Sequence, residues 1–169
     1  PNCSSAASDV YKRQKIYNMI TIDEFKNKLS SGSRLLGIDL GTKRIGIAIS
    51  DYNQKIATPL QTLDKSKQVK LIDELESIIT EYDIKGIIIG NPINLDGTYG
   101  KSSQSAKDIA INISNKIDIP VSLWDERLST VGAFNLSSEL DINVSKRGKD
   151  IDKFAAAFIL QGALDFIQN

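Results

Sequence analysis

Residues 35–50 read LLGIDLGTKRIGIAIS. Two apolar runs, Leu35–Leu40 and Ile45–Ser50, flank a Gly-Thr-Lys-Arg turn at 41–44. Such runs around so short a polar turn predict a hairpin of two strands. Asp39 interrupts the pattern near the end of the first run. Strand side chains alternate between faces, so Leu35, Gly37 and Asp39 share one face and Leu36, Ile38 and Leu40 the other. A carboxylate among so many apolar neighbours is costly unless it is paired or holds a cation. The stretch therefore poses a choice between a phosphate cradle and a strand that carries an acid into a metal centre.

Working outward, Thr21–Leu29 reads as a short amphipathic helix, with Thr21 as its cap and Glu24 three residues on. Ala57–Leu63 is a third strand, and Pro59 suggests that it lies at a sheet edge. Lys67–Tyr82 spaces its apolar residues as a helix does. Gly86–Gly90 is wholly apolar, as suits a buried central strand. It leads into the loop 93–101. Ser102–Lys116 is a second amphipathic helix, Val121–Asp125 a further strand and Ser129–Leu136 a helical stretch. Asp141–Lys149 reads as polar and mobile, and a last helix spans Ile151 to Ile167. A three-strand meander followed by alternating helices and strands predicts an α/β fold of ribonuclease H-like order. The expected form is a mixed five-stranded sheet with helices on both faces.

The chain of 169 residues suits one domain, expected over 19–169. Residues 1–18 are set apart as a tail. PNCSSAASDVYKRQ (1–14) shows neither helical nor strand periodicity, and DVYKRQ resembles the translation of a sequencing adaptor. It is read as an assembly artefact, the alternative being a disordered tail. No apolar run is long enough to span a membrane and no secretory signal is visible, so no membrane partner and a cytoplasmic location are expected. Histidine is absent and the one cysteine is Cys3. Histidine-based triads, zinc clusters and disulfide frameworks are thereby excluded. Carboxylates, lysine, arginine, hydroxyls and a hard cation remain for catalysis. The formal net charge is zero, which by itself does not point to nucleic acid.

Acids stand against the apolar pattern in three places. Asp39 is the first, and Asp125-Glu126, at the end of VSLWDER, is the second. Asp152 is the third: it opens the last helix and shares a face with Ala155, Ala156, Ile159 and Ala163. Brought together, these acids would bind one or two Mg²⁺ or Mn²⁺ ions through oxygen and support in-line displacement at a phosphodiester. Taken singly, each has a plainer role: turn binding for Asp39, pairing with Arg127 or helix capping for Asp125 and Glu126, and dipole pairing for Asp152. Cations flank every acid, namely Lys43 and Arg44, Arg127, and Lys146, Arg147 and Lys149. They read either as a solvated surface or as a phosphate-binding rim.

Four segments, GIDLGTKRIGIAISD (37–51), IIIGNPINLDGT (87–98), WDERLST (124–130) and KDIDKFAAAFILQ (149–161), resemble in order the motifs of the YqgF family. These are bacterial ribonuclease H-like proteins described as Holliday junction resolvases and as pre-16S rRNA nucleases. The resemblance runs from Arg34 to Ile167 and leaves the Met19–Gly32 extension unassigned. It implies a nuclease, a hydrolase acting on ester bonds, that matures the 5′ end of pre-16S rRNA in ribosome biogenesis. The family's acidic positions would fall on Asp39, Asp125-Glu126 and Asp152, all in catalytic roles. Asp39, Glu126 and Asp152 are favoured as metal ligands, with Asp125 the alternative to Glu126. Lys43, Arg44, Arg127, Asn94 and Arg147 are the expected substrate contacts. RNA is the expected partner, with structured DNA the alternative, and the protein is expected to be a monomer or homodimer. Two rival readings stand beside this: a dimeric resolvase of four-way DNA junctions, and a non-catalytic RNA-binding assembly factor. IDLGT also occurs in actin-like ATPases, but those need a second such turn and a second domain, for which this chain lacks the length.

Overall fold

The computed structural model describes residues 19–94, 96–128 and 147–169. Six strands form one sheet: β1 (Met19–Ile20), β2 (Arg34–Leu40), β3 (Arg44–Ser50), β4 (Ala57–Asp64), β5 (Ile84–Asn91) and β6 (Val121–Asp125). Four α-helices accompany them: α1 (Ile22–Lys28), α2 (Gln68–Tyr82), α3 (Lys101–Lys116) and α4 (Arg147–Gln168). The strand order is β1-β6-β5-β2-β3-β4. β2, β3 and β4 are antiparallel neighbours, whereas β5 runs parallel to β2 and β6 parallel to β5. β2, β5 and β6 therefore end at the same edge of the sheet.

The two sides of the sheet differ in chemistry. One carries Leu36, Ile38, Ile45, Ile47, Ile87 and Ile89 and packs against α2 and α3. Each of these branched side chains, fully buried, contributes about 1.5–3 kcal/mol. The other side mixes Gly37, Gly46, Ala48 and Gly90 with Leu35, Ile88 and Trp124, and α4 lies across it with Ala156, Leu160 and Ala163 buried. Gly37 shows why: a Cβ there would stand 2.6 Å from Leu160 Cβ and 2.9 Å from the Ala156 carbonyl. The alternation predicted for β2 holds, with Leu35 in the α4-side core and Leu36 and Ile38 in the opposite one.

Several expectations need correction. The sheet has six strands rather than five, because Met19–Ile20 pairs parallel with β6. Two residues are too few to produce a strand pattern in sequence. The extension they begin has a packing role, since α1 places Phe25, fully buried, against Gly86. The α1 cap is as predicted: Glu24 N–H donates to Thr21 Oγ1 at 3.3 Å, and Thr21 N–H donates to the Glu24 carboxylate at 2.9 Å. The last helix starts at Arg147, not Ile151, so 147–149 are helical rather than loop. Cations in a first turn oppose the helix dipole, which made this start look later than it is. The predicted helix 129–136 and residues 141–146 lie outside the described residues. Pro59 does occupy an edge strand, beside a register shift in the β3–β4 pairing.

Candidate active site

At the shared end of β2, β5 and β6, three acids approach from three elements. Asp39 is next to last in β2 and points to the α4 side of the sheet. Glu126 begins a helical turn (Glu126–Leu128) directly after β6. Asp152 belongs to α4, where it is the sixth residue and not the first. Its plainer reading as a dipole partner at the helix start therefore does not apply.

Two glycines create the room. A Cβ on Gly90 of β5 would stand 2.5 Å from Glu126 Oε1 and 2.6 Å from Ile159 Cδ1. Glu126 thus folds back over the tip of β5. A Cβ on Gly46 of β3 would overlap the backbone carbonyl of Asp152, so only a bare backbone lets α4 come this close. Glycines inside strand patterns are themselves a signal of close approach, and sequence reasoning passed over both.

Electrostatics tie the acids together. Burial, and then the nearby Asp152 charge, push Asp39 up from its ordinary value of 3.8 to about 6. Burial, followed by the charges of Asp39 and Asp125, pushes Glu126 up to about 7. Among the described residues no donor or cation is bonded to the Asp39 carboxylate. Asp152 Oδ2 is buried; Arg44 Nε lies 2.7 Å from it, an ion pair not aligned as a hydrogen bond.

The neighbouring Asp125 has a different environment. Arg127 Nη2 and Nε donate to its carboxylate at 2.6 and 3.0–3.1 Å, and the Arg127 N–H adds a bond at 3.1 Å. These bonds hold the Asp125 carboxyl below the usual range. The structure therefore separates the pair that sequence left joined: Asp125 is the partner of Arg127, and Glu126 faces Asp39.

The expected substrate contacts are placed as follows. Lys43, Arg44 and Asp152 line an open cleft of about 800 Å³ together with Thr42, Thr62 and Asp64. Asn94 lies in the β5–α3 loop, where its Nδ2 donates to Thr98 Oγ1 at 2.9 Å. Arg147 opens α4. Lys65, which sequence reasoning did not single out, donates from Nζ to the Gly41 carbonyl at 3.0 Å and steadies the turn after Asp39.

Mutually repelling, half-buried carboxylates of this kind mark either a proton or a cation seat. Asp39, Glu126 and Asp152 offer hard oxygen donors, which suit a divalent cation such as Mg²⁺ or Mn²⁺. The raised Asp39 fits that group, as does Asp152 Oδ2, which accepts no hydrogen bond and has the Arg44 cation beside it. As the side chains stand, no three acids among the described residues are already set to hold an ion.

Sheet order, flanking helices and acids at the strand ends together define a ribonuclease H-like protein of the nuclease class. The fold matches that of the RuvC protein of T. thermophilus in complex with a Holliday junction substrate. That match has a TM-score of 0.51 and 13% identity, covering 75% of this chain and 91% of the other. The chain belongs to the RuvX family, described as Holliday junction resolvase and matched over residues 33–166, which is the YqgF family of the sequence motifs. A relative from Pelagibacter ubique named "Putative pre-16S rRNA nuclease" is 62% identical over 151 residues, covering 89% of this chain and all of its own. Another of the same name, from Ruegeria pomeroyi, is 42% identical, covering 88% of this chain and 97% of its own.

Proposed function

We propose that this chain is a divalent-metal-dependent endonuclease that hydrolyses a phosphodiester in RNA, with the 5′ leader of pre-16S rRNA as its substrate. The observation that carries the proposal is that Asp152 and Glu126 each lie within charge range of Asp39, with Asp39 and Glu126 both raised by burial and by neighbouring negative charge. The names of the relatives support the substrate, and the absence of any membrane-crossing helix among the described residues accords with action in the cytoplasm.

Asp39, Glu126 and Asp152 would hold the cation. When bound, it would supply the positive charge that activates water and steadies the leaving oxygen. Arg44 and Lys43, in the cleft beside Asp152, contact the phosphate and offset its charge in the transition state. Without the cation, burial and neighbouring negative charge push Glu126 up to about 7, and a bound divalent cation would offset that repulsion. Water attacks phosphorus, the bond from phosphorus to O3′ breaks and the proton goes to O3′, leaving a 5′-phosphate and a 3′-hydroxyl. Arg127 binds Asp125 and so fixes the turn that presents Glu126.

The second reading, junction cleavage in DNA, draws on the family's description and is tested in the same experiment. The full-chain protein is incubated with end-labelled 16S rRNA precursor or with a four-way DNA junction, with Mn²⁺ and with EDTA, beside Asp39→Asn. Leader cleavage that is lost in Asp39→Asn and in EDTA is expected. Symmetric cutting of the junction with intact RNA would transfer the assignment to DNA. No cleavage of either substrate, with RNA binding retained, would favour an assembly factor without catalysis.

A further inference from the structure

Tyr99 lies in the loop between β5 and α3, one residue before the α3 cap Gly100, and 62% of it is exposed. A lone exposed tyrosine is ordinary. This one is not alone. Lys107 Nζ, on α3, stands 3.8 Å from the ring centroid. Arg127, the residue after Glu126, lies within charge range of Tyr99. Its Nη1 also stands 3.9 Å from where a Gly97 Cβ would be. The loop is braced: Asn94 N–H donates to the Thr98 carbonyl at 3.1 Å, and Thr98 Oγ1 donates to Asp96 Oδ1 at 2.6 Å. Gly97, at φ +84°, makes the turn that this bracing requires.

An exposed aromatic ring with one cation over a face and a second nearby is the chemistry that holds single-stranded nucleic acid, because every base has a π-face and every linkage a charge. A base inside a duplex has both faces covered by its neighbours and cannot use such a platform. We propose that Tyr99 stacks an unpaired base of the RNA strand that crosses the acidic centre, with Lys107 binding the phosphate beside it. This rests on the phosphodiester reading above and makes it narrower: the strand is unpaired on the side of the β5–α3 loop.

The test measures binding in EDTA, so that cleavage plays no part. Full-chain protein, Tyr99→Ala and Tyr99→Phe are titrated with a fluorescent unstructured RNA and with a blunt RNA duplex. A 2-aminopurine in the single strand reports stacking. Tyr99→Ala is expected to weaken single-strand binding by about 5- to 100-fold and to abolish the 2-aminopurine quench, with duplex binding unchanged. Tyr99→Phe keeps the ring face and is expected to bind as the parent does. Equal binding by Tyr99→Ala, an equal loss on both RNAs, or a Tyr99→Phe as weak as Tyr99→Ala would each overturn the proposal. A protein that binds single-stranded RNA equally well with and without the Tyr99 ring refutes this inference alone. One that binds no nucleic acid refutes the nuclease reading as well.

Discussion

Replacing Asp39 with Asn should make the protein more stable while removing its activity. In the folded chain Asp39 is raised from 3.8 to about 6, chiefly by burial and secondarily by Asp152. A carboxyl raised on folding keeps its proton longer in the native state than in the unfolded one. Native stability therefore falls as pH climbs from about 4 through 6, and the loss is complete above that window. A rise from about 4 to about 6 corresponds to about 3 kcal/mol, at about 1.4 kcal/mol for each tenfold change in proton affinity, and partial solvent access reduces this to about 1.5–3 kcal/mol. Asn fills the same space without the charge, so Asp39→Asn should gain that amount near pH 8 and almost nothing near pH 4. For a chain of this size the gain is a rise in Tm of about 3–10 °C. Thermal and urea melts in EDTA at both pH values measure it. Adding Mn²⁺ should then raise the Tm of the parent and leave the variant unmoved, since a ligand of the native state stabilises only where it binds. An equal gain at both pH values, or no gain near pH 8, would refute the account of Asp39 as a repelled, buried acid.

Two further outcomes follow from the same geometry. Glu126→Gln should abolish cleavage, lowering kcat by about 10²-fold or more, whereas Asp125→Asn should mainly raise KM by loosening Arg127; steady-state kinetics on labelled RNA separates them. Gly46→Ala should push α4 off β3, costing about 1–3 kcal/mol in a urea melt and removing activity, although no acid has been changed.

Strand content, helix faces and three acids were legible because each breaks or keeps a short-range pattern. Asp39 stood out against an apolar run, and the stripe through Ala156 and Ile159 aimed Asp152 at the sheet. Asp125 ends β6 and Glu126 follows it directly, and neighbours share every local sequence signal, so Glu126 was favoured over Asp125 without a physical ground. Their surroundings in three dimensions differ: Arg127 folds back onto Asp125, and Gly90 makes space for Glu126. The role of the Met19–Gly32 extension was equally hidden, since β1 has two residues and Phe25 finds its partner Gly86 some 60 positions along the chain. Gly46 and Gly90 carried a readable sign, glycine within a strand, whose meaning depends on what approaches from outside the strand.

If Asp152 acts as proposed, the seating of α4 across the sheet makes cutting power an all-or-nothing property of the polypeptide. Asp39 arrives with the earliest long strand, but the acid opposite it comes on the last helix. A product of premature termination that ends before α4 keeps all six strands and both other acids, yet has no Asp152. It also leaves the glycine row of β2, β3 and β5 without its cover. Such a fragment would be insoluble or degraded rather than a half-competent cutter loose among the cell's transcripts. On that reading, hydrolytic potential is withheld until synthesis has run through α4, a safeguard written into the order of the elements rather than into any inhibitor.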